Sequence, residues 1–293
     1  MSRWKAETAL VGNTILWGAS FVIVKGALAG ISPILFLALR FSLAALVLLA
    51  IFRRRPGARA VAWAEFHAGV LVGALLFLGF LLQTLGLEFT TAPKSAFLTG
   101  LTSVAVPLVA ALVYRIRPQR SVLLGLLTAT AGMSLMTLGG PIGSMNRGDV
   151  LTLGCAVAYA GHIVTIGHFS EKMSFETLSL IQVATAAVLA GALFWWLEPA
   201  RIAWRPSLVA AILVTGLLCT AWAFTVQAWA QQYTSSARTA LIFTLEPVFA
   251  WLTSYFFVGE GLSARAAAGA ALILGGVLLV ETKPLNPRLH PSN

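Results

Sequence analysis

The sequence predicts an all-α integral membrane protein with ten transmembrane helices arranged as two inverted five-helix repeats. Three observations carry that expectation. The first is composition: of 293 residues, 58% are hydrophobic and 10% charged, with a mean hydropathy of +0.87. A soluble domain carries about 25% charged residues, so this chain has too few polar groups to cover a water-facing surface. The second is a series of ten apolar segments, each near the roughly 20 residues that a spanning helix needs. The third is internal repetition. The run "FLLQTLGLEFTTAPKSAFLTGL" from Phe80 lies without a gap over "FTVQAWAQQYTSSARTALIFTL" from Phe224. At this offset of 144 residues, Phe80 matches Phe224, Gln83 matches Gln227, Thr90 matches Thr234, Ala96 matches Ala240 and Leu101 matches Leu245. The same offset carries Gly125 onto Gly269 and Gly132 onto Gly276. Apolar helices share Leu and Ala by composition alone; polar and glycine matches at one offset point to duplication.

Taken in order, the spans fall at about 9–29, 32–52, 66–88, 92–113, 119–138, 149–169, 175–197, 207–230, 235–257 and 264–282. The first repeat covers 9–138, the second 149–282, and 283–293 is a short tail with Pro284, Pro287 and Pro291. The run from Ala9 to Ala29 is longer than a secretory signal core and lacks a small-residue cleavage site, so it is expected to be an uncleaved first span. Ser32-Pro33 opens the second span, Arg53-Arg54-Arg55-Pro56-Gly57 closes it, and Gly139-Gly140-Pro141 ends the fifth. Cys155 and Cys219 both lie in apolar runs and are expected to be buried thiols rather than a disulfide.

The formal charge of +10 does not indicate nucleic acid, because the basic residues fall in short connections between apolar runs. The connections on the side of both termini hold Arg3, Lys5, Arg53, Arg54, Arg55, Arg59, Arg115, Arg117, Arg120, Lys172, Arg238, Lys283 and Arg288. The other side holds Lys94, Arg147, Arg201, Arg205 and Arg265. Thirteen against five places both termini in the cytoplasm. Five spans per half is an odd number, so the second half enters the membrane from the opposite side. In such inverted repeats the substrate site lies near the midplane between the halves.

Polar side chains are costly in a bilayer, so those present are the candidate site residues. Asn13, Trp17 and Ser20 recur on one face of the first span, and Cys155, Tyr159 and His162 have the same spacing in the sixth, at an offset of 142 residues that also pairs Gly12 with Gly154. Ser95, Thr99 and Thr102 in the fourth span map at the 144 offset onto Thr239, Phe243 and Glu246 in the ninth. Gln83 and Gln227 are the polar points of the third and eighth spans. A central cavity lined by both halves accounts for these stripes. Trp17 and Trp222 lie inside spans and are candidates to stack on a ligand, whereas Trp4, Trp63, Trp195, Trp196 and Trp204 fall at span ends as an interfacial belt.

Each candidate has a second reading. His162 either hydrogen-bonds a backbone carbonyl or lines the path; in the latter case its ordinary pKa near neutrality makes it the leading proton-coupling candidate. Glu246 precedes Pro247, which frees a carbonyl one turn earlier, so it is either an accessory to a helix kink or a cation or proton site. Arg40 faces either a carboxylate such as Glu88 or Glu246, or a substrate carboxylate. Lys25 is expected to snorkel. Lys94 and Arg238 stand at helix starts, where the dipole disfavours cations, and either bind lipid phosphate or attract an anionic substrate. Gly12, Gly69, Gly73, Gly125, Gly132, Gly269 and Gly276 are expected to let helices approach closely.

Some chemistries are disfavoured. Asp149 is the single Asp, so paired-carboxylate Mg²⁺ sites are not expected. The chain holds no H-E-x-x-H, G-x-S-x-G or Walker loop, and His67, His168 and His290 are not grouped at metal spacing. Neither enzyme chemistry nor a cofactor or metal is predicted.

Five stretches together resemble a known family: "WGASFVIVK" from Trp17, "LALRF" around Arg40, "GLEFTTAPKSAFLTGL" from Gly86, "LEPVFAWLTSYFFVGEGLS" from Leu245, and "GAALILGGVLLV" from Gly269. They are similar to the EamA-domain transporters of the drug/metabolite transporter superfamily, over about residues 9–282. One departure is that "YRIRP" from Tyr114 lacks an acidic residue like Glu260 of the second half. The resemblance implies a multi-pass carrier of the bacterial cytoplasmic membrane that exports a small metabolite, such as an amino acid or related amphipathic compound, or a drug. It adds weight to Trp17, Arg40 and Glu246. The expected partners are the lipid bilayer, the small-molecule substrate and protons, with no nucleic acid; Gly-rich faces permit a homodimer without requiring one. The rival expectations are a passive channel and a lipid-precursor flippase of the same superfamily.

Overall fold

The computed structural model describes residues 3–53, 61–115, 120–137, 145–259 and 263–281. Among them every regular element is helical, apart from an isolated antiparallel bridge between Ile31 and Ile202. The helices are α1 (Arg3–Ala27), α2 (Pro33–Phe52), α3 (Trp63–Phe89), α4 (Ala92–Gly100), α5 (Thr102–Tyr114), α6 (Arg120–Thr137), α7 (Arg147–Phe169) and α8 (Phe175–Leu197). They continue with α9 (Pro206–Gly216), a π-helical turn (Leu217–Trp222), α10 (Ala223–Ala230), α11 (Ser236–Phe243), α12 (Glu246–Val258) and α13 (Ala264–Glu281). Eight helical stretches are long and apolar enough to cross a membrane, and shorter apolar helices lie at Arg120–Leu135 and Ala267–Leu279. The protein is therefore an all-α, multi-pass membrane protein. Glu260, the tail 283–293, Gly139-Gly140-Pro141, and the basic residues Arg54, Arg55, Arg59, Arg117, Lys283 and Arg288 lie outside the described residues.

Three expected continuous spans are interrupted. Between α4 and α5 the chain turns at Leu101, and between α11 and α12 at Thr244 and Leu245. Local hydroxyl bonds compete with the helical ladder at both breaks: Thr102 Oγ1 donates to Thr99 O and Thr244 Oγ1 to Leu241 O, each at 2.6 Å. Pro247 supplies no N–H to close the second break. The third interruption is the wide turn before α10, which frees carbonyls that side chains then use.

Helix ends repeat between the halves. Thr91 Oγ1 accepts the Lys94 N–H at 3.4 Å and Ser235 Oγ accepts the Arg238 N–H at 3.3 Å, so both α4 and α11 start on hydroxyl caps. The end of α5 turns left-handed at Arg115 (φ 55°) and that of α12 at Gly259 (φ 78°), again 144 residues apart. At the start of α7, Asn146 Oδ1 accepts from Asp149 N while Asp149 Oδ2 accepts from Asn146 N, a reciprocal cap.

Small residues set the closest helix crossings. A Cβ on Gly132 would stand 2.5 Å from Gly269 O, and one on Gly276 would stand 2.6 Å from Gly125 O. The 144 offset exchanges these two contacts, and their order makes α6 and α13 antiparallel. Gly69 and Gly73 press on Ile181, Gln182 and Thr185 of α8. Gly12 has nothing within 4 Å of its Cβ position, so its expected packing role is corrected. Trp4, Trp63, Trp195, Trp196 and Trp204 are all exposed near helix ends. Cys155 and Cys219 are free and buried.

Candidate central cavity and its flanking ion pairs

The interrupted helices and their neighbours line a partly open cavity, with about 580 Å³ of empty space counted out through its mouth. Its lining combines residues of α1, α3, α4, α5 and α7 with residues of α10, α11 and α12. Trp17, Ser20, Gln83, Thr99, Tyr159, His162, Gln227 and Glu246, each singled out by the sequence, come together there. Six candidates do not, among them Ser95, Cys155 and Thr239 of the same stripes. Asn13 is buried behind the cavity, where its Nδ2 donates to Ala223 O at 2.8 Å. Arg40 and Trp222 are likewise absent from the lining.

Trp222 is 61% exposed on the outer face of the bundle, whereas Phe224 and Gln227 are buried and line the cavity. The π-helical turn ending at Trp222 shifts the helical register there, so the spacing expected from a regular helix does not carry Trp222 inward. Its expected stacking role is corrected on that ground. Arg40 is 2% exposed, and its Nε donates to Thr220 Oγ1 at 2.7 Å. A longer contact of 3.5 Å links Arg40 Nη2 to Cys219 O, and the guanidinium lies 4.4 Å from the Phe80 ring centroid. The same Cys219 carbonyl accepts from Trp17 Nε1 at 2.8 Å. Arg40 thus holds the π-helical turn against α2 and braces the back of Phe80; neither Glu88 nor Glu246 pairs with it.

Aromatic rings form a connected wall. Trp17 contacts Phe243 (centroids 4.9 Å apart) and Phe224 (5.2 Å), Phe224 contacts Phe80 (5.8 Å), and Phe80 contacts Tyr159 (5.5 Å). Edge and tilted geometries of this kind favour the rings' quadrupoles. Tyr159 sits directly on Gly79, whose Cβ would meet the ring at 2.4 Å. His162 lines the cavity and also lies 2.9 Å from Gln182 Oε1 through Nε2. Its partner is thus a side chain of α8 rather than a backbone carbonyl. Gln83 Nε2 donates to Thr99 Oγ1 at 3.1 Å, and Gln227 Nε2 donates to Gln231 Oε1 at 3.0 Å. Glu246 opens α12 with its side chain on the cavity and has no hydrogen-bond or ion-pair partner among the described residues.

An ion pair built on a buried carboxylate flanks the cavity at each end of the bundle. Near the start of α1, Glu7 Oε1 accepts from Thr234 Oγ1 at 3.0 Å and lies 3.5 Å from Arg238 Nη1 and 3.2 Å from Arg3 Nε. At the opposite end, Asp149 Oδ1 accepts from Thr90 Oγ1 at 2.8 Å and Asp149 Oδ2 lies 2.6 Å from Lys94 Nζ. The 144 offset relates Thr90 to Thr234 and Lys94 to Arg238; the 142 offset relates Glu7 to Asp149. Lys94 and Arg238 are therefore engaged with protein carboxylates, which corrects their expected roles toward lipid phosphate or anionic substrate. Lys25 is corrected too: its ammonium donates to Leu87 O and, at 3.0 Å, to Thr90 O, closing the C-terminal end of α3 rather than snorkelling. Sequence reasoning passed over Glu7, Gln182 and Gln231. Glu7 had a signal, because the offset that pairs Gly12 with Gly154 also pairs it with Asp149.

Comparison with known proteins agrees with this architecture. Residues 4–138 and 146–282 each match the EamA-like transporter family. A protein named as an uncharacterized transporter from Archaeoglobus fulgidus (strain ATCC 49558 / DSM 4304 / JCM 9628 / NBRC 100126 / VC-16) is 32% identical over 283 residues, covering 97% of this chain and 88% of its own length. The uncharacterized transporter YoaV of Bacillus subtilis (strain 168) is 20% identical over 94% of this chain and 96% of its own. A solved crystal structure superposes with a TM-score of 0.80 at 20% identity, over 95% of this chain and 98% of that one, a likeness of fold alone. With two matches that together span nearly all of its length, the chain belongs to the EamA-like transporter family.

Proposed function

We propose that this protein is a secondary-active carrier that moves a small amphipathic metabolite, such as an amino acid or a related compound, out of the cell by alternating access. The observation that carries the reading is the midplane cavity set between two matching polar clamps, Glu7–Thr234–Arg238 and Asp149–Thr90–Lys94. Opening either end of the cavity separates one clamp while the other stays closed. A permanently open channel has no use for a clamp at each end.

The ten-span, inverted-repeat arrangement belongs to this proposal. The helices α6 and α13 have 18 residues each, about 27 Å at ~1.5 Å per residue, against a hydrocarbon core of roughly 30 Å. Counting them as spans gives five per half, and the antiparallel glycine crossing between them is what an axis in the membrane plane requires. On this reading the Glu7 end, with the excess of basic residues on its side, faces the cytoplasm of a bacterial cell. Interrupted helices at the midplane, lined by Thr99, Thr102 and Glu246, are the usual setting of a substrate site in such carriers. His162 and Glu246 are the groups through which protons would couple to transport.

A cysteine at Ala240, which lines the cavity, tests the proposal in protein whose Cys155 and Cys219 are replaced by Ala. Impermeant thiol reagents should label it from either side of oriented vesicles that stay tight to the reagent. Labelling from one side alone, or leakage of reagent across the membrane, contradicts alternating access.

A further inference from the structure

We propose that the cavity selects organic cations: amines or ammonium compounds that carry an apolar, preferably aromatic, group. This rests on the carrier reading above and narrows it to a substrate class.

Charge is the first ground. Among the described residues the lining contains one carboxylate, Glu246, and no Lys or Arg. Every other carboxylate that the structure buries deeply is answered. Glu7 has Thr234, Arg3 and Arg238, and Asp149 has Thr90, Lys94 and the Asn146 N–H. Half-buried Glu198 Oε2, at the rim, accepts the N–H groups of Ile34 and Leu35. Glu246, 8% exposed, is left without a partner and faces open space. An unpaired carboxylate in a poorly solvated site is costly, and a cationic ligand supplies the missing counter-charge. Gln227, also in the lining, has an Oε1 that accepts no hydrogen bond and so suits a donating ligand as well.

The walls are the second ground. Trp17, Phe80, Tyr159, Phe224 and Phe243 line the same space as Glu246. The Trp17 N–H is spent on Cys219 O, which leaves the indole ring as what Trp17 offers a ligand. Aromatic faces attract desolvated cations and repel anions. Arg40 stands behind Phe80 and is bound to Thr220 and Cys219. A carboxylate ligand would meet Glu246 with no basic partner in the lining, an unfavourable pairing that discriminates against it.

The test uses phenethylamine, phenylalanine and 3-phenylpropionate, which share an aromatic ring and differ in charge. Labelled phenethylamine is bound to the purified protein in lipid nanodiscs and displaced by each compound. Phenethylamine should displace saturably and about tenfold or more better than 3-phenylpropionate, a gap of about 1.4 kcal/mol. Glu246→Gln should abolish that preference, Glu246→Asp should weaken but retain it, and Trp222→Ala, on the lipid-facing side, should leave it unchanged. Equal or better displacement by 3-phenylpropionate overturns the inference, and its loss in Arg40→Gln would transfer selectivity to Arg40. Absence of saturable phenethylamine binding overturns it as well. Labelling of the Ala240→Cys protein needs no ligand, so alternating labelling without cation binding would reject the cation site and leave the carrier standing.

Discussion

Glu7→Gln is the perturbation for which the structure gives the clearest magnitude and sign. Glu7 and Arg238 are both buried, with side chains 6% and 2% exposed, and the substitution removes the charge that faces Arg238 at 3.5 Å. Breaking one side of a buried ion pair costs about 3–5 kcal/mol, and because Arg238 keeps its other contacts the lower end applies. That cost falls on the conformation in which this end is closed; opening the end brings water to Arg238 and removes it. Taking ~3 kcal/mol, the equilibrium should move by about a hundredfold toward the form open at the Glu7 end. Asp149→Asn should act in the opposite direction and more weakly, because Lys94 is already 33% exposed and a half-solvated ion pair contributes at most about 1 kcal/mol. The assay is the rate at which Ala240→Cys is labelled from each side in the two variants. If both shift accessibility the same way, or neither shifts it, the clamps do not govern opening.

Four further outcomes follow from individual contacts. Gly18→Ala places a Cβ 2.7 Å from Phe249 Cβ and 2.8 Å from Glu246 O, so α1 and α12 must part by about 1 Å, at a cost of about 1–3 kcal/mol; the unfolding midpoint should fall, while Gly12→Ala, with nothing within 4 Å, should leave it in place. Gln83→Ala and Gln227→Ala should each slow transport several-fold, consistent with a hydrogen bond of ~1 kcal/mol, with membrane insertion intact; unchanged kinetics in both would remove the cavity from the transport path. Arg40→Gln should lower thermal stability by about 1–3 kcal/mol by leaving Thr220 Oγ1 without its donor and the Cys219 carbonyl with Trp17 alone, while the preference for cations persists. Arg115→Gly should be neutral or raise stability by up to ~1 kcal/mol, since φ 55° suits glycine better than arginine, and a clear loss of stability would contradict it.

Much of this molecule was legible because a bilayer penalises polar groups wherever they are idle. Gln83, Gln227, His162 and Glu246 stood out in apolar runs for that reason, and the repeat offset grouped them before any geometry was known. Trp222 was misplaced because a regular helical period was assumed across Leu217–Trp222, and nothing in "LLCTAW" marks a π-helical turn. Arg40 was expected to face a carboxylate because a buried charge needs a partner; carbonyl and hydroxyl oxygens released by that same turn served instead. Lys94 and Arg238 were assigned outward because their partners, Asp149 and Glu7, are distant in sequence and lie on helices whose starts look like interfacial caps. The two clamps became visible only when the offsets of 142 and 144 were applied together to residues that touch.

The central claim is that a solute crosses by binding in the midplane cavity and being released on the other side. Counterflow in proteoliposomes tests it most directly. Vesicles are loaded with a mixture of unlabelled amino acids and aromatic amines and then given trace labelled compounds outside. The account predicts transient, saturable accumulation of a label above its external level, driven by efflux of the unlabelled compound. Flux of the label that rises linearly with its gradient, without saturation or overshoot, would contradict the carrier and make the protein a passive pore.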